Sequence, residues 1–146
     1  MAAWRRRAIE VSRRFTRDFS DASSLHLFSV YGVFGDLIHL VRDAHEANDT
    51  AMLFKIYGYA EWCLRRKEQE FWNAAGVSFY EHLFDRREDW EQVVPWLSPF
   101  VIENCWGLWE ARSPRFVDID VLRAMIAERT VMRYDDWRRN QERGNA

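Results

Sequence analysis

The sequence is short of the residues that interrupt helices and of those that staple small folds. It has six Gly and three Pro in 146 residues. The prolines are confined to positions 95–114, so the chain before Pro95 is free to run as helices joined by short turns. Two cysteines, Cys63 and Cys105, stand far apart among apolar neighbours. No Cys-x-x-Cys occurs, which removes the signature of thioredoxin-like chemistry and of zinc ribbons. The pair reads as buried, reduced thiols of a cytoplasmic protein; whether they join in a disulfide depends on geometry that the sequence leaves open.

Long apolar runs are also missing. The longest uncharged stretch, Ala22 to Gly35, is 14 residues, short of the roughly 20 that span a bilayer. The basic start, Arg5-Arg6-Arg7, is followed by Ala8 to Arg14 with no apolar core of an export leader. These two observations place the expected location in the cytoplasm. Lysine is scarce as well, with Lys55 and Lys67 against nineteen arginines. Such a ratio reports GC-rich codons before it reports guanidinium chemistry.

What is abundant is bulk for a core. Ten Phe, eight Trp and five Tyr each bury roughly 150–250 Å² when enclosed, which excludes a wholly disordered chain. The length fits one domain, expected over residues 1–137 with a polar tail at 138–146 that frays. A net charge of −2 gives no global reason to expect nucleic acid as a partner. The charge is uneven, however. Residues 1–20 hold six arginines against Glu10 and Asp18, and residues 81–110 hold seven acids against Arg86 and Arg87. The plainest reading is a basic amphipathic first helix that is solvated or packs near the acidic segment.

Apolar spacing predicts an all-α fold of five to seven helices, as an antiparallel bundle or a short repeat-like array. Trp4, Ala8, Val11, Phe15 and Phe19 form one face of a first helix, with Glu10 placed to pair with Arg14. Residues 20–24 break it and offer caps. Leu25, Leu27, Ser29, Tyr31 and Val33 alternate as in a strand, but a lone strand would have no partner, so helix or irregular packing is expected. Val33, Leu37, Leu40, Val41 and Ala44 then share a helical face. A third helix from about 51 to 67 turns Leu53, Ile56, Tyr57, Ala60 and Leu64 inward, with Glu61 and Arg65 paired outside. The fourth, about 70–84, carries apolar residues nearly all round and is expected at the centre. Ser98-Pro99 opens a further helix, and Val121, Leu122, Met125 and Ile126 mark the last.

Two segments, Val33-Phe34-Gly35-Asp36-Leu37 and Val77-Ser78-Phe79-Tyr80-Glu81-His82-Leu83, resemble a family of small bacterial all-helical proteins of unknown function. That family has a Phe-Gly-Asp-Leu segment and a Ser-Phe-x-Glu-x-Leu helix. The similarity covers about residues 25–110. It implies a fold and supplies no activity, cofactor or catalytic residue. In size and style such proteins resemble those that neutralise secreted bacterial toxins, an analogy of form alone.

Candidate chemistry is sparse. Asp36-x-x-His39 and His82-x-x-Asp85 each set a carboxylate and an imidazole on one helical face, as in metal-binding bundles. Glu46, Glu61, Glu81 and Glu103 would have to complete such a site. His39 and His45, six apart, cannot ligate one ion from a regular helix. Glu81, among Phe79, Tyr80, Leu83 and Phe84, is the sharpest buried-polar candidate, with Ser78 three residues before it; Asp36 is a further candidate. No nucleophile elbow or phosphate loop is present, and no cofactor is expected. Trp90, Trp96, Trp106 and Trp109 lie within twenty residues among Glu88, Asp89 and Glu91. They are core, or, if exposed, a protein-binding hot spot. The leading expectation is therefore a non-enzymatic protein-interaction module whose partner is another protein. A metal-dependent bundle enzyme using His39 and His82 is the second reading, and nucleic-acid binding by the Arg-rich first helix the third.

Overall fold

A computed structural model of the chain describes residues 1–20 and 29–144. The fold is all-helical, with nine α-helices and no strand among the described residues. The count exceeds the expected five to seven because the first helix splits and two further pieces, one very short and one terminal, are regular. The capping turn expected at residues 21–24 and the alternating Leu25 and Leu27 lie outside the described residues.

Contacts divide the chain into two compact units, Met1–Asp85 and Arg86–Ala146. The division falls inside the charged Asp85-Arg86-Arg87-Glu88 turn. The first unit holds α1 (Ala3–Val11), α2 (Arg14–Ser20), α3 (Val30–Glu46), α4 (Thr50–Leu64), α5 (Gln69–Ser78) and a 3-10 turn at Tyr80–His82. The second holds a 3-10 turn at Arg87–Asp89, α6 (Trp90–Val93), another 3-10 turn at Val94–Trp96, α7 (Pro99–Ala111), α8 (Ile119–Glu128) and α9 (Tyr134–Gly144).

The predicted first helix is interrupted at Ser12, whose backbone is extended (φ −147°, ψ 122°). A serine there costs little, because its hydroxyl competes with helical backbone bonding. The break serves packing. In one straight helix Trp4 and Phe19 would stand roughly 22 Å apart along the axis, yet their rings meet edge to face at 5.8 Å. The break also cancels the expected Glu10–Arg14 pair; Arg14 pairs instead with Asp18 at 3.8 Å and Asp36 at 3.5 Å. Ala8, Val11 and Phe15 are buried as their spacing implies.

Between α3 and α4 the chain turns in a Schellman motif. Asn48 takes a positive φ of 51°, Asn48 N–H donates to His45 C=O, and Asp49 N–H donates to Ala44 C=O at 2.8 Å. Asp49 then caps α4 by accepting from Met52 N–H at 3.1 Å. On α4 the expected inward residues are buried, and Glu61–Arg65 pair at 3.0 Å. Tyr59 and Cys63 join them in the core.

α5 packs against both α3 and α4, but it ends at Ser78, short of residue 84. Phe79 breaks the helix at φ −129°, ψ −72°. Val77, Phe79 and Tyr80 are poor helix formers, and the break lets Phe79, Tyr80, Leu83 and Phe84 all enter the core. Nor is the helix enclosed on all sides. Its fully buried residues are the small ones, Ala74, Ala75 and Gly76, whereas Trp72 is 41% exposed. Phe79 is the hub of the unit, with ring centroids 5.7 Å from Phe34, 6.0 Å from Tyr57 and 5.2 Å from Tyr80.

In the second unit Ser98 caps α7 by accepting from Val101 N–H at 3.3 Å, with Pro99 at the first helical position. Asp118 caps α8 in the same way through Val121 N–H. Leu122 alone of the α8 residues is fully buried. Residues 134–144, read from sequence as a fading and fraying end, form α9. It buries no residue and is held locally by pairs such as Arg138–Glu142 at 3.4 Å.

Replacing Phe79 with Ala removes the hub ring and is expected to cost about 3–5 kcal/mol. Trp72→Ala is expected to cost less than about 1 kcal/mol, and Asp49→Ala about 1 kcal/mol by loss of the cap. Urea unfolding followed by far-UV circular dichroism measures all three, and equal losses at 72 and 79 would contradict this placement of α5.

Candidate functional site

The four clustered tryptophans divide into two classes. Trp90 and Trp109 are 2% and 0% exposed and belong to the core. Trp96 and Trp106 are half-buried. On α7, Val101, Cys105 and Trp109 form the buried stripe. Ile102 and Trp106, one turn apart, run along one edge of it, with exposed Glu103 and Glu110 bordering them. Trp106 is held in place. Its indole N–H donates to Glu110 at 3.1 Å, and the Arg123 guanidinium lies 5.2 Å from its ring. Glu88 and Glu91 are exposed, while Asp89 takes a bidentate grip from Arg86 at 2.8 and 3.2 Å. Glu91 lines a small cleft of about 230 Å³ with Val94, Pro95, Met125, Glu128 and Arg129.

The buried-polar candidates are dispersed. Asp36, on α3, is committed to Arg14. Ser78 is the last residue of α5. Glu81 stands in the 3-10 turn with its side chain 25% exposed and 3.9 Å from His82 Nε2, because the break at Phe79 turns the aromatic residues inward in its place. The enclosed carboxylate expected from its apolar neighbours is not formed. His82 Nδ1 lies 2.9 Å from Asp85, an i, i+3 pair in an exposed turn, and His39 is exposed on α3. Among the described residues no three His, Cys, Asp or Glu side chains are grouped to hold a metal ion, so His39, His82, Asp36 and Asp85 are not brought together as a metal centre.

Sequence reasoning missed the polar pairs of the first unit. His45 is 8% exposed, with its Nε2 2.7 Å from the Tyr57 hydroxyl. Tyr59 donates to the Trp4 carbonyl at 3.1 Å, tying α4 to α1. Burial is the main cause holding the Tyr59 hydroxyl far above its usual range, with the adjacent Cys63 adding to it. Burial likewise pushes the Cys63 thiol up to about 12, against the opposing pull of Tyr59, Arg66 and Arg7. Cys105 is pushed up to about 12 by burial alone. Both thiols are reduced and buried, as their neighbours in sequence imply.

A second feature without a sequence signature is a groove of about 390 Å³ between α1 and α4. Arg7, Glu10 and Val11 line it from α1; Phe54, Lys55, Gly58 and Tyr59 line it from α4. Each set falls on one helical face, at i, i+3, i+4 and at i, i+1, i+4, i+5. The Arg7 guanidinium stacks 4.5 Å from the Trp62 ring. The only hint in sequence was the basic character of the first helix.

Residues 7–106 match a sequence family described as a domain of unknown function, DUF7674. The chain belongs to that family. The DUF7674 match begins earlier than the resemblance drawn from the Phe-Gly-Asp-Leu and Ser-Phe-x-Glu-x-Leu segments and takes in α1 from Arg7 onward. It spans every residue that lines the α1–α4 groove, and on α7 it spans Ile102 to Trp106. α8 and α9 lie beyond it. No curated protein and no solved structure matches the chain.

The raised thiol pKa values give a pH dependence. An unfolded thiol ionises near 9, and the folded ones near 12. Burial of the neutral thiols therefore contributes stability below pH 9, and that contribution is lost progressively as pH rises toward 12. At pH 8 both folded thiols are therefore held in the neutral, unreactive form. Ellman's reagent is expected to leave Cys63 and Cys105 unmodified in buffer and to titrate two thiols in urea; rapid reaction of the folded protein at either position would refute their enclosure.

Proposed function

We propose that the chain is a non-enzymatic protein-interaction module that binds one partner protein and thereby neutralises or regulates it. The supporting observation is the edge of α7. Trp106 is half-buried, its N–H is fixed by Glu110 and its face is backed by Arg123, with Ile102 a turn away and Glu103 on the border. A large, pre-oriented aromatic in a rim of charge is the arrangement that concentrates binding energy at protein interfaces. Little side-chain entropy remains to be lost when it docks. Glu88 and Glu91 extend the negative charge beyond α7, so the partner surface is basic. Trp90 and Trp109 contribute from beneath as core.

Several further features accord with this reading. No helix among the described residues is long and apolar enough to cross a membrane. The reduced, buried cysteines suit a cytoplasmic setting. The DUF7674 match runs across the boundary between the two units, which favours residues 1–137 acting as one functional domain. A bacterial origin and a role like that of toxin-neutralising proteins belong to the same proposal and rest on similarity of form.

Affinity capture from the native cell tests it with the full chain beside Trp106→Ala and Glu103→Lys variants. One stoichiometric protein is expected with the wild type, and its affinity is expected to fall about thirtyfold when Trp106 is truncated. A partner retained equally by both variants, or no stoichiometric partner at low salt, would remove this reading.

A further inference from the structure

We propose that the face of Trp106 is the subsite for an arginine of the partner, and that Arg123 occupies it in the free chain as an internal competitor. This rests on the α7 edge being the partner-binding surface; it names the group that docks there and the contact that holds it off.

The contact joins two helices. Trp106 belongs to α7 and Arg123 to α8, and the guanidinium carbon stands 5.2 Å from the ring centroid. At that distance a planar cation is attracted to an aromatic face. The chain's own structure therefore shows what chemistry this face accepts. Arginine lies on other rings as well, Arg5 on Trp4 and Arg66 on Trp62, so the stack by itself marks no site.

What sets Trp106 apart is how incompletely Arg123 fills the position. Glu110, one turn on, accepts the indole N–H at 3.1 Å. Glu103, one turn back, is exposed and among the described residues holds neither a cation nor a hydrogen bond. Arg123 reaches neither carboxylate. Among the described residues its one carboxylate partner is Asp120, at 2.9 Å on its own helix. The ring is thus covered by a cation whose charge is spent elsewhere, while the acids bordering the ring keep theirs. A guanidinium arriving from outside can lie on the same face and turn its N–H edge to Glu103 and Glu110. Arginine suits this better than lysine, because its fork matches a carboxylate while its plane lies on a ring.

The hold on Arg123 is weak enough to be exchanged. Its side chain is 59% exposed and that of Asp120 is 87% exposed, and ion pairs in such surroundings contribute little. The ring contact at an exposed site shifts an equilibrium by about two- to fivefold. Nor does Trp106 need Arg123 to keep its orientation, since the bond to Glu110 fixes the indole. Removing Arg123 is therefore expected to strengthen docking, the reverse of what truncation at an interface ordinarily does.

Fluorescently labelled hexa-arginine amide is the probe, with hexalysine amide beside it, and anisotropy on the full chain reads affinity. Arg123→Ala is expected to tighten hexa-arginine about threefold. In a Trp106→Ala background the same change is expected to lose most of that gain, which separates the freed ring from the mere loss of a positive charge. Hexalysine is expected to bind the wild type less tightly than hexa-arginine. Displacement also has a spectroscopic signature. The Arg123 Nε–H resonance, shifted by the ring current in the free chain, is expected to move on saturation to its position in Trp106→Ala. Unchanged or weaker binding by Arg123→Ala, an equal gain without the ring, hexalysine binding as tightly, or an Arg123 resonance that stays put at saturation would each overturn the proposal. Captured partner separates the two levels. Retention by Trp106→Ala removes the reading of the α7 edge itself; loss with Trp106→Ala but no gain with Arg123→Ala removes only the role of Arg123.

Discussion

The first unit is organised around the ring of Phe79, which three other aromatic rings contact from three parts of the chain. Phe34 reaches it from α3, Tyr57 from α4 and Tyr80 from the adjoining turn. The backbone leaves the α-helix at Phe79, and beyond that break Phe79, Tyr80, Leu83 and Phe84 are all buried. The geometry at Phe79 is thus the condition for the core, and it fixes several other features. Tyr57, held against Phe79, in turn meets His45. Phe34 also touches Tyr59, the residue that hydrogen-bonds α1 through the Trp4 carbonyl. One aromatic network therefore runs from α5 through α3 and α4 to the groove.

A second constraint acts at the groove's other wall. The extended backbone at Ser12 folds α2 back so that Phe19 covers Trp4, while Phe15 and Phe19 stack at 5.7 Å. With that face satisfied internally, α1 presents Arg7, Glu10 and Val11 toward α4. A straight helix would have paired Glu10 with Arg14 and sent Phe19 elsewhere. The break that looks like a defect in an amphipathic helix is what separates Glu10 from Arg14 and leaves it on the wall of the groove.

The helices were legible wherever one apolar stripe decides the structure. The faces of α3 and α4 follow directly from Val33, Leu37 and Val41 and from Leu53, Ile56, Tyr57, Ala60 and Leu64, because burial of a periodic stripe outweighs everything local. The cap at Ser98 follows from a short polar residue ahead of Pro99 and an apolar run. What escaped reading was set by tertiary contacts at equal local cost. Ser12 and Phe79 break helices that their flanking periodicity would continue, and nothing nearby in sequence announces the rings they bring together. The sites suffered for the same reason. Glu81 looked enclosed because its neighbours are apolar, but the turn that buries those neighbours points the carboxylate outward. The α1–α4 groove joins residues some fifty positions apart, which no spacing rule connects.

Arginine usage gains a structural meaning that its abundance alone does not give. Half-buried aromatic rings carry guanidinium groups over their faces: Arg5 on Trp4, Arg7 and Arg66 on Trp62, Arg123 on Trp106. Phe116, 56% exposed, has Arg112 and Arg115 within 5.2 Å. A planar guanidinium covers a ring while its edge keeps its hydrogen bonds to water, which lysine does less well. Codon bias can supply many arginines, but it does not place them on aromatic faces. The consequence bears on the α7 edge. Trp106 and Trp62 are large apolar groups held at fixed positions near the surface, each shielded by a charge that a docking partner could displace or join. Half-buried rings at Trp4, Trp62 and Trp106 are in this way covered by charge instead of left bare.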